Sequence, residues 1–398
     1  MKKYLLSICT IALCACNSGQ SKDTNTSDGC LIRIDVDKDI EKNMQSIHDI
    51  AYDWSAIELE NHDDAILDQI RDFEIVDDKI ICFASAEGGK VVVFDINGKY
   101  IYHINNRGQG PREWIEITSF FVNKNEKTII LTDNKSNKTF VYDISGNLFD
   151  VYSFKDKRIY EVILNEGVMY SQNTTLSNGF ILDSSLPMKV SLYDTDIKLL
   201  NEQIPYKLND APFITENSDV FKMNYDNGII CCPIGDEYIY AISGDSIHPY
   251  IQFNYSGKKH FRSKEELADI AEKRNYEWGR EGVTFYSNCF VETDALIYRR
   301  MGYNEAFDIL YNKETKRVLV TEFDSPHLGA NTMSECILYP APEVFYEGRF
   351  YAKFTPSIFD APIEYMKSST IPECLMQFKD KYDEDKFNGV IITYKLKV

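Results

Sequence analysis

Arg107-Gly-Gln-Gly-Pro-Arg-Glu-Trp114 places two guanidinium groups, an amide, a carboxylate and an indole on one short stretch of chain. Arginine presents a planar fork of donors that matches a carboxylate, and tryptophan offers an amphipathic face for stacking. Together these side chains suit a carboxylate, a sugar or a peptide, so Arg107, Gln109, Arg112 and Trp114 are the candidate ligand- or partner-binding residues. The two glycines and Pro111 also have a purely structural reading. Glycine opens backbone angles closed to other residues and proline stiffens the path, which a sharp turn of the chain alone would require. A second cationic feature, Arg299-Arg300, interrupts the apolar run ALIYRRMGY. It places one guanidinium in the central channel or marks a solvated strand end.

Catalytic patterns are absent from the chain. It has no G-x-S-x-G, no H-E-x-x-H and no glycine-rich phosphate loop between a strand and a helix. Six scattered histidines, none at ligand spacing, give no zinc site. No metal or other cofactor is expected. Carboxylates are abundant, Glu74, Asp77 and Asp133 among them, and a divalent cation would need several to converge from distant parts of the chain. Of ten cysteines, Cys9 and Cys14 fall in the N-terminal signal and Cys16 is the lipid-attachment candidate. Cys30, Cys82, Cys231, Cys232, Cys289, Cys336 and Cys374 are an odd set without C-x-x-C spacing, which does not describe a disulfide framework. Bridging of the adjacent Cys231 and Cys232 stays open.

The first residues, MKKYLLSICTIALCAC, carry two lysines and a short apolar run, the layout of a secretory signal over residues 1–15. Leu13-Cys14-Ala15-Cys16 resembles a bacterial lipobox ending at the cysteine that is acylated. Residues 16–30 are polar and read as a lipidated flexible tether. The expected address is the cell envelope, as an outer-membrane lipoprotein held to the membrane by its N-terminal lipid. Asp23 is the first acidic residue after Cys16, so no dense acidic patch follows the anchor, and both sides of the outer membrane stay open. With 62 acidic against 43 basic residues and a net charge of −19, the chain repels phosphate backbones, and nucleic acid is not an expected partner.

The rest of the chain repeats. IICFASAEGGKVVVFDINGKYIYHI and TIILTDNKSNKTFVYDISGNLFDVYSF each hold an apolar strand, a polar turn, a strand ending aromatic-Asp-Ile, a glycine turn and a further strand. The aromatic marker recurs at Phe94, Tyr142, Tyr193 and Tyr240, about 50 residues apart, and again at Tyr311 after a delay. The delay matches a helical insertion at residues 258–281, where Ser263 and Glu266 form a capping box. A second helical insertion is expected at residues 361–386. Units of four antiparallel strands at this period predict an all-β, six-bladed β-propeller over residues 31–398. The last blade lacks its outer strand, and LIRIDV or SAIELE from the N-terminal end would complete it and hide the sheet edge. A β-sandwich with a second domain is the competing arrangement.

In this order, SAIELE, VVVFDINGKYIYHI, GQGPREW and a C-terminal VIITYKLK, the chain resembles the six-bladed, NHL-like propeller lipoproteins of Bacteroidetes. The motif Gly108-Gln109-Gly110-Pro111-x-Glu113 carries most of the likeness; Arg112 and Trp114 depart from its usual Gly and Tyr. The resemblance implies a lipid-anchored propeller in the envelope and brings no reaction with it. Two functions follow as expectations. One is a monomeric ligand-binding or interaction module that captures a glycan or peptide or docks on an envelope complex. The other is a metal-dependent lactonase- or lyase-like hydrolase with its site in the central channel.

Overall fold

Each aromatic marker lies in the third strand of its blade, and all five are buried: Phe94, Tyr142, Tyr193, Tyr240 and Tyr311. The computed structural model describes residues 31–36, 50–67, 70–155, 159–173, 189–203, 220–233, 237–254, 284–303, 307–322, 341–354, 373–378 and 388–397. Two N-terminal strands, β1 (Ile32–Asp35) and β2 (Ala51–Glu58), precede the first blade. That blade is β3 (Ile70–Val76), β4 (Lys79–Ala84), β5 (Lys90–Asp95) and β6 (Tyr100–Ile104). The second is β7 (Ser119–Asn123), β8 (Thr128–Asp133), β9 (Lys138–Asp143) and β10 (Leu148–Ser153). The third is β11 (Glu161–Asn165), β12 (Val168–Asn173), β13 (Lys189–Tyr193) and β14 (Leu199–Gln203). The fourth is β15 (Phe221–Met223), β16 (Ile229–Cys231), β17 (Tyr238–Ser243) and β18 (Ser246–Asn254). The fifth is β19 (Thr284–Glu292), β20 (Leu296–Tyr303), β21 (Phe307–Asn312) and β22 (Val318–Glu322). The sixth combines β23 (Val344–Tyr346), β24 (Arg349–Phe354) and β25 (Val390–Leu396) with β2 from the N-terminal side. The molecule is a six-bladed β-propeller.

The repeat survives because its turns are self-sufficient. Asp95 Oδ1 accepts from the amides of Asn97 and Lys99, both at 2.9 Å. Asp143 does the same for Ser145 and Asn147 at 2.8 and 3.0 Å, and Asp194 for Asp196 and Lys198. This local side-chain bonding offers the backbone a turn in place of a continued strand. Gly98 and Gly146 then take positive φ of 84° and 87°, and a Cβ at Gly98 would lie 2.2 Å from the Glu58 carbonyl oxygen.

The apolar cores lie between neighbouring blades. One packs β4 and β5 of the first blade against β7 to β9 of the second through Phe83, Val91, Phe120 and Phe140. Another joins the sixth blade to the first through Tyr351, Ile391, Phe73 and Phe94. The sheets therefore bury both faces, and their strands read as near-continuous apolar runs rather than alternating ones.

SAIELE, within β2, is the closing strand: it pairs antiparallel with β25, Ser55 opposite Thr393 and Ile57 opposite Ile391. Arg349 of β24 reaches across β25 to Asp53, Nη1 to Oδ2 at 2.6 Å, and donates to Thr393 Oγ1 at 2.8 Å. Lys395 holds the same carboxylate at 3.0 Å. LIRIDV has a separate role. As β1 it adds in parallel to the outer edge of β18, making the fourth blade five-stranded, with Ile34 and Val36 buried in the core shared with the fifth blade.

The described part of the second insertion, residues 373–378, contains α1 (Glu373–Met376), and Leu375 and Phe378 bury against the sixth blade. The first insertion, the signal and the tether fall outside the described residues. Cys82, Cys231, Cys232, Cys289 and Cys374 form no disulfide, so the adjacent pair is not bridged. No helix among the described residues is long and apolar enough to cross a membrane.

Candidate functional site

The turns that close the inner hairpins gather at one end of the propeller axis, and the connections between blades enter at the other. GQGPREW is on the entry side, between β6 and β7. It nests against the β4–β5 turn of its own blade and the β8–β9 turn of the next. Gly88 and Gly89, at φ of 90° and 94°, open the first turn. The Gly88 carbonyl accepts from the Ile117 amide at 2.9 Å, and a Cβ at Gly88 would meet Arg107 Nε at 2.9 Å.

Glu113 organises the loop. Its Oε2 accepts from the Gly110 amide at 2.8 Å while its own amide donates back to the Gly110 carbonyl at 3.2 Å. Gly108 and Gly110 are not in the positive-φ region, contrary to the expectation of special backbone angles. They are glycines because the Glu113 carboxylate occupies their side-chain space: a Cβ at Gly108 would lie 1.9 Å from Glu113 Oε2. Lys138 of β9 donates to the carbonyls of Gly110 and Glu113 at 3.0 and 3.3 Å, tying the loop to the second blade. Gly108 N to Trp114 O at 2.9 Å and Trp114 N to Asn106 O at 3.1 Å close its neck.

Trp114 does not project towards a ligand. It is fully buried, edge-on to Phe140 and Tyr142 with centroids 5.5 and 6.4 Å away, and its indole N–H donates to the Gly89 carbonyl at 3.2 Å. The correction has a simple cause: a large ring beside an inter-blade core gains more from burial than from exposure. Asn106 Nδ2 donates to Tyr142 OH at 2.8 Å. Burial pushes the Tyr142 hydroxyl up to about 12, against the opposing effects of Asn106 and the nearby Arg112 charge. Arg107, Gln109 and Arg112 are exposed on this anchored frame, and their side chains make no hydrogen bond or ion pair among the described residues.

The remaining candidates fall elsewhere. Asp133 is consumed by structure: its Oδ1 accepts from Lys135 N and Ser136 N, its Oδ2 from Ile115 N at 2.8 Å and from Ser136 Oγ at 2.6 Å. Glu74 pairs with Lys124 at 2.8 Å, and Asp77 with Lys127. The three carboxylates do not converge, and among the described residues no three His, Cys, Asp or Glu side chains are placed to share a metal ion. Neither arginine of the Arg299-Arg300 pair is a solvated strand end. Arg299 is buried over the Phe253 ring at 5.0 Å and donates to the Pro233 carbonyl at 3.1 Å. Arg300 forks onto Asp308 at 2.9 and 3.3 Å, beside the Tyr298 hydroxyl, which donates to the same carboxylate at 2.7 Å. Sequence reasoning missed Glu113 and Lys138 as organisers of the loop; the x-Glu113 spacing to Gly110 was the available signal.

Fold and site together define a β-propeller with a rigid, cation-bearing loop on its blade-connection side. The family described as a domain of unknown function (DUF4934) matches residues 31–395, and the chain belongs to it. A putative exported protein of Bacteroides fragilis superposes with a TM-score of 0.68 at 16% identity, over 92% of this chain and 100% of that one. A member of the DUF4221 family from Bacteroides vulgatus gives a TM-score of 0.50 at 12% identity, over 87% of this chain and 98% of that one. At these identities the likeness is one of fold. A search among curated proteins found no match.

Proposed function

We propose that the protein is a lipid-anchored envelope module that binds a carboxylate-bearing glycan or peptide through Arg107, Gln109 and Arg112. The observation that carries this reading is the pairing of two exposed guanidinium groups, without hydrogen bond or ion pair among the described residues, with a backbone held by Glu113, Lys138 and Trp114. A fixed frame limits the ordering cost of binding, and a free guanidinium keeps its bidentate geometry for a carboxylate. In a chain of net charge −19, a local cationic spot is also a point of orientation for an acidic ligand. Attachment at Cys16 and an outer-membrane address follow from the N-terminal sequence. The fold neighbour from Bacteroides fragilis carries the description of a putative exported protein, which accords with an envelope location.

The test is a binding screen of the soluble domain against acidic and neutral oligosaccharides and peptides, repeated with R107A/R112A. Retention selective for acidic members and lost in the double variant, with circular dichroism unchanged, supports the reading. Equal retention by both proteins rejects it. Trp114 is excluded from the substitution because its loss would disturb the core.

A further inference from the structure

The aromatic markers carry a second repeat on the outer strand beside them. Phe94 pairs with Tyr100, Tyr142 with Leu148, Tyr193 with Leu199 and Tyr240 with Pro249. In each blade the register then skips the next residue of the outer strand: Ile101, Phe149, Leu200 and Tyr250. A β-bulge leaves its extra residue unpaired and re-aims the side chain, so the four occupy equivalent points on four successive blades. The first three are large apolar side chains in water. Ile101 is 43% exposed, Phe149 75%, and Leu200 51% with Leu199 beside it at 45%. The fourth is covered by the chain itself. β1 pairs with β18 from Ile251 onward, just past the bulge, and Ile32 and Tyr250 both pack on the core shared by the fourth and fifth blades.

The first three blades therefore keep an apolar rim at the position that the fourth hides with the first strand of the fold. The carboxylates beside this rim are turned to the backbone. Asp95, Asp143 and Asp194 are spent on the amides of their turns, and Asp150, next to Phe149, accepts from the Val151 amide at 2.8 Å. An exposed lysine, Lys198, precedes Leu199. Apolar side chains with a lysine at their border suit the boundary between lipid headgroups and acyl chains. The position of β1 says which surface comes near. The lipid-attachment candidate Cys16 lies 16 positions before Ile32, so the chain between them reaches at most about 55 Å. An anchor on that leash holds the edge of the fourth blade, and the rim of the third beside it, next to the membrane. A chain of net charge −19 gains nothing from anionic lipid, which leaves burial of the rim among neutral headgroups as the attraction.

We propose that the rim of the first three blades, chiefly Phe149, Leu199 and Leu200, settles into the membrane surface to which the chain is anchored. The proposal rests on the lipid-anchor reading and adds the face that meets the bilayer. It leaves the loop at 107–114, on the blade-connection side, open to its ligand. The experiment holds the full-length, lipidated protein on phosphatidylcholine vesicles whose acyl chains carry bromine, a contact quencher of indole fluorescence. F149W and L200W each put a reporter on the rim, and I115W puts one at an exposed position beside the loop. The unaltered protein supplies the background of the native tryptophans. Both rim reporters should lose several-fold more emission than I115W when brominated lipid replaces ordinary lipid; should one rim variant misfold, the other decides. Retention of the unaltered protein on the vesicles, lost in C16S, is read separately and reports the anchor alone. With retention intact, equal quenching at the rim and at I115W, or none at the rim, overturns the proposal while the anchor stands. Loss of retention in the unaltered protein removes anchor and proposal together. Self-association in solution that F149S abolishes, without quenching at the rim, assigns the rim to a second copy and likewise overturns it.

Discussion

At the scale of single residues, the loop that draws attention for its chemistry is built around a carboxylate that never reaches a ligand. Glu113 fills the space in front of Gly108 and Gly110, so the glycines and the glutamate form one unit. We predict that G108A displaces the exposed Glu113 carboxylate from the Gly110 amide and destabilises the domain by about 0.5–1.5 kcal/mol, the usual worth of one hydrogen bond. In an E113A background the same change should cost much less, and a double-mutant cycle by chemical denaturation reads that coupling. Additive effects would show that Glu113 does not occupy the glycine space. W114A should cost about 3–5 kcal/mol as a buried aromatic truncation; a surface residue would cost far less. The sequence shows these residue types and their spacing, and from them the loop is recognisable as special. It does not show which side of the backbone faces the core, because that depends on Phe140 and Tyr142 from the next blade.

At the scale of elements, the strands and their turns were legible because each hairpin carries its own instructions. Asp95 and Asp143 bond their own turns, and the aromatic one residue earlier packs between blades. Which N-terminal strand closes the ring was not decided locally, since LIRIDV and SAIELE are both short β-formers. The decision comes from partners: Arg349 and Lys395 converge on Asp53 in β2, whereas β1 finds the outer edge of β18. Deleting β2 should therefore prevent cooperative folding. Deleting β1 should leave a folded domain with lower Tm and a tendency to self-associate, because it uncovers the β18 edge and the apolar contacts of Ile34 and Val36. Light scattering and calorimetry on the two truncations distinguish these outcomes; equal loss of folding in both would contradict the separate roles.

The same closure sets a pH response. Lys395 and then Arg349 hold the Asp53 carboxyl below its usual range by hydrogen bonds and charge. A depressed folded-state value means the stabilisation is present above the ordinary carboxylate pKa and is lost as pH falls through the lowered value. Denaturation midpoints should fall below about pH 4 in the unaltered protein and fall less steeply in D53N. An identical acid profile in the two proteins would remove Asp53 from the closure.

At the scale of the whole molecule, the repeat alone specifies six sheets around an axis, and burial between blades completes the specification. Function is less legible, since the fold hosts many chemistries and none of the carboxylates singled out in the sequence converges with another. What the molecule does present is an acidic body with a free pair of guanidinium groups on an anchored loop. The proposed lipid anchor has its own check: C16S should abolish palmitate labelling and release the protein from the membrane fraction, and continued membrane retention would contradict attachment at that cysteine. The binding claim is tested most directly by titrating the soluble domain, wild type and R107A/R112A side by side, with the acidic ligand selected by the screen, at low and high salt. The account predicts at least about a tenfold loss of affinity in the double variant and a shallower dependence on salt. Equal affinities and equal salt dependence would contradict it.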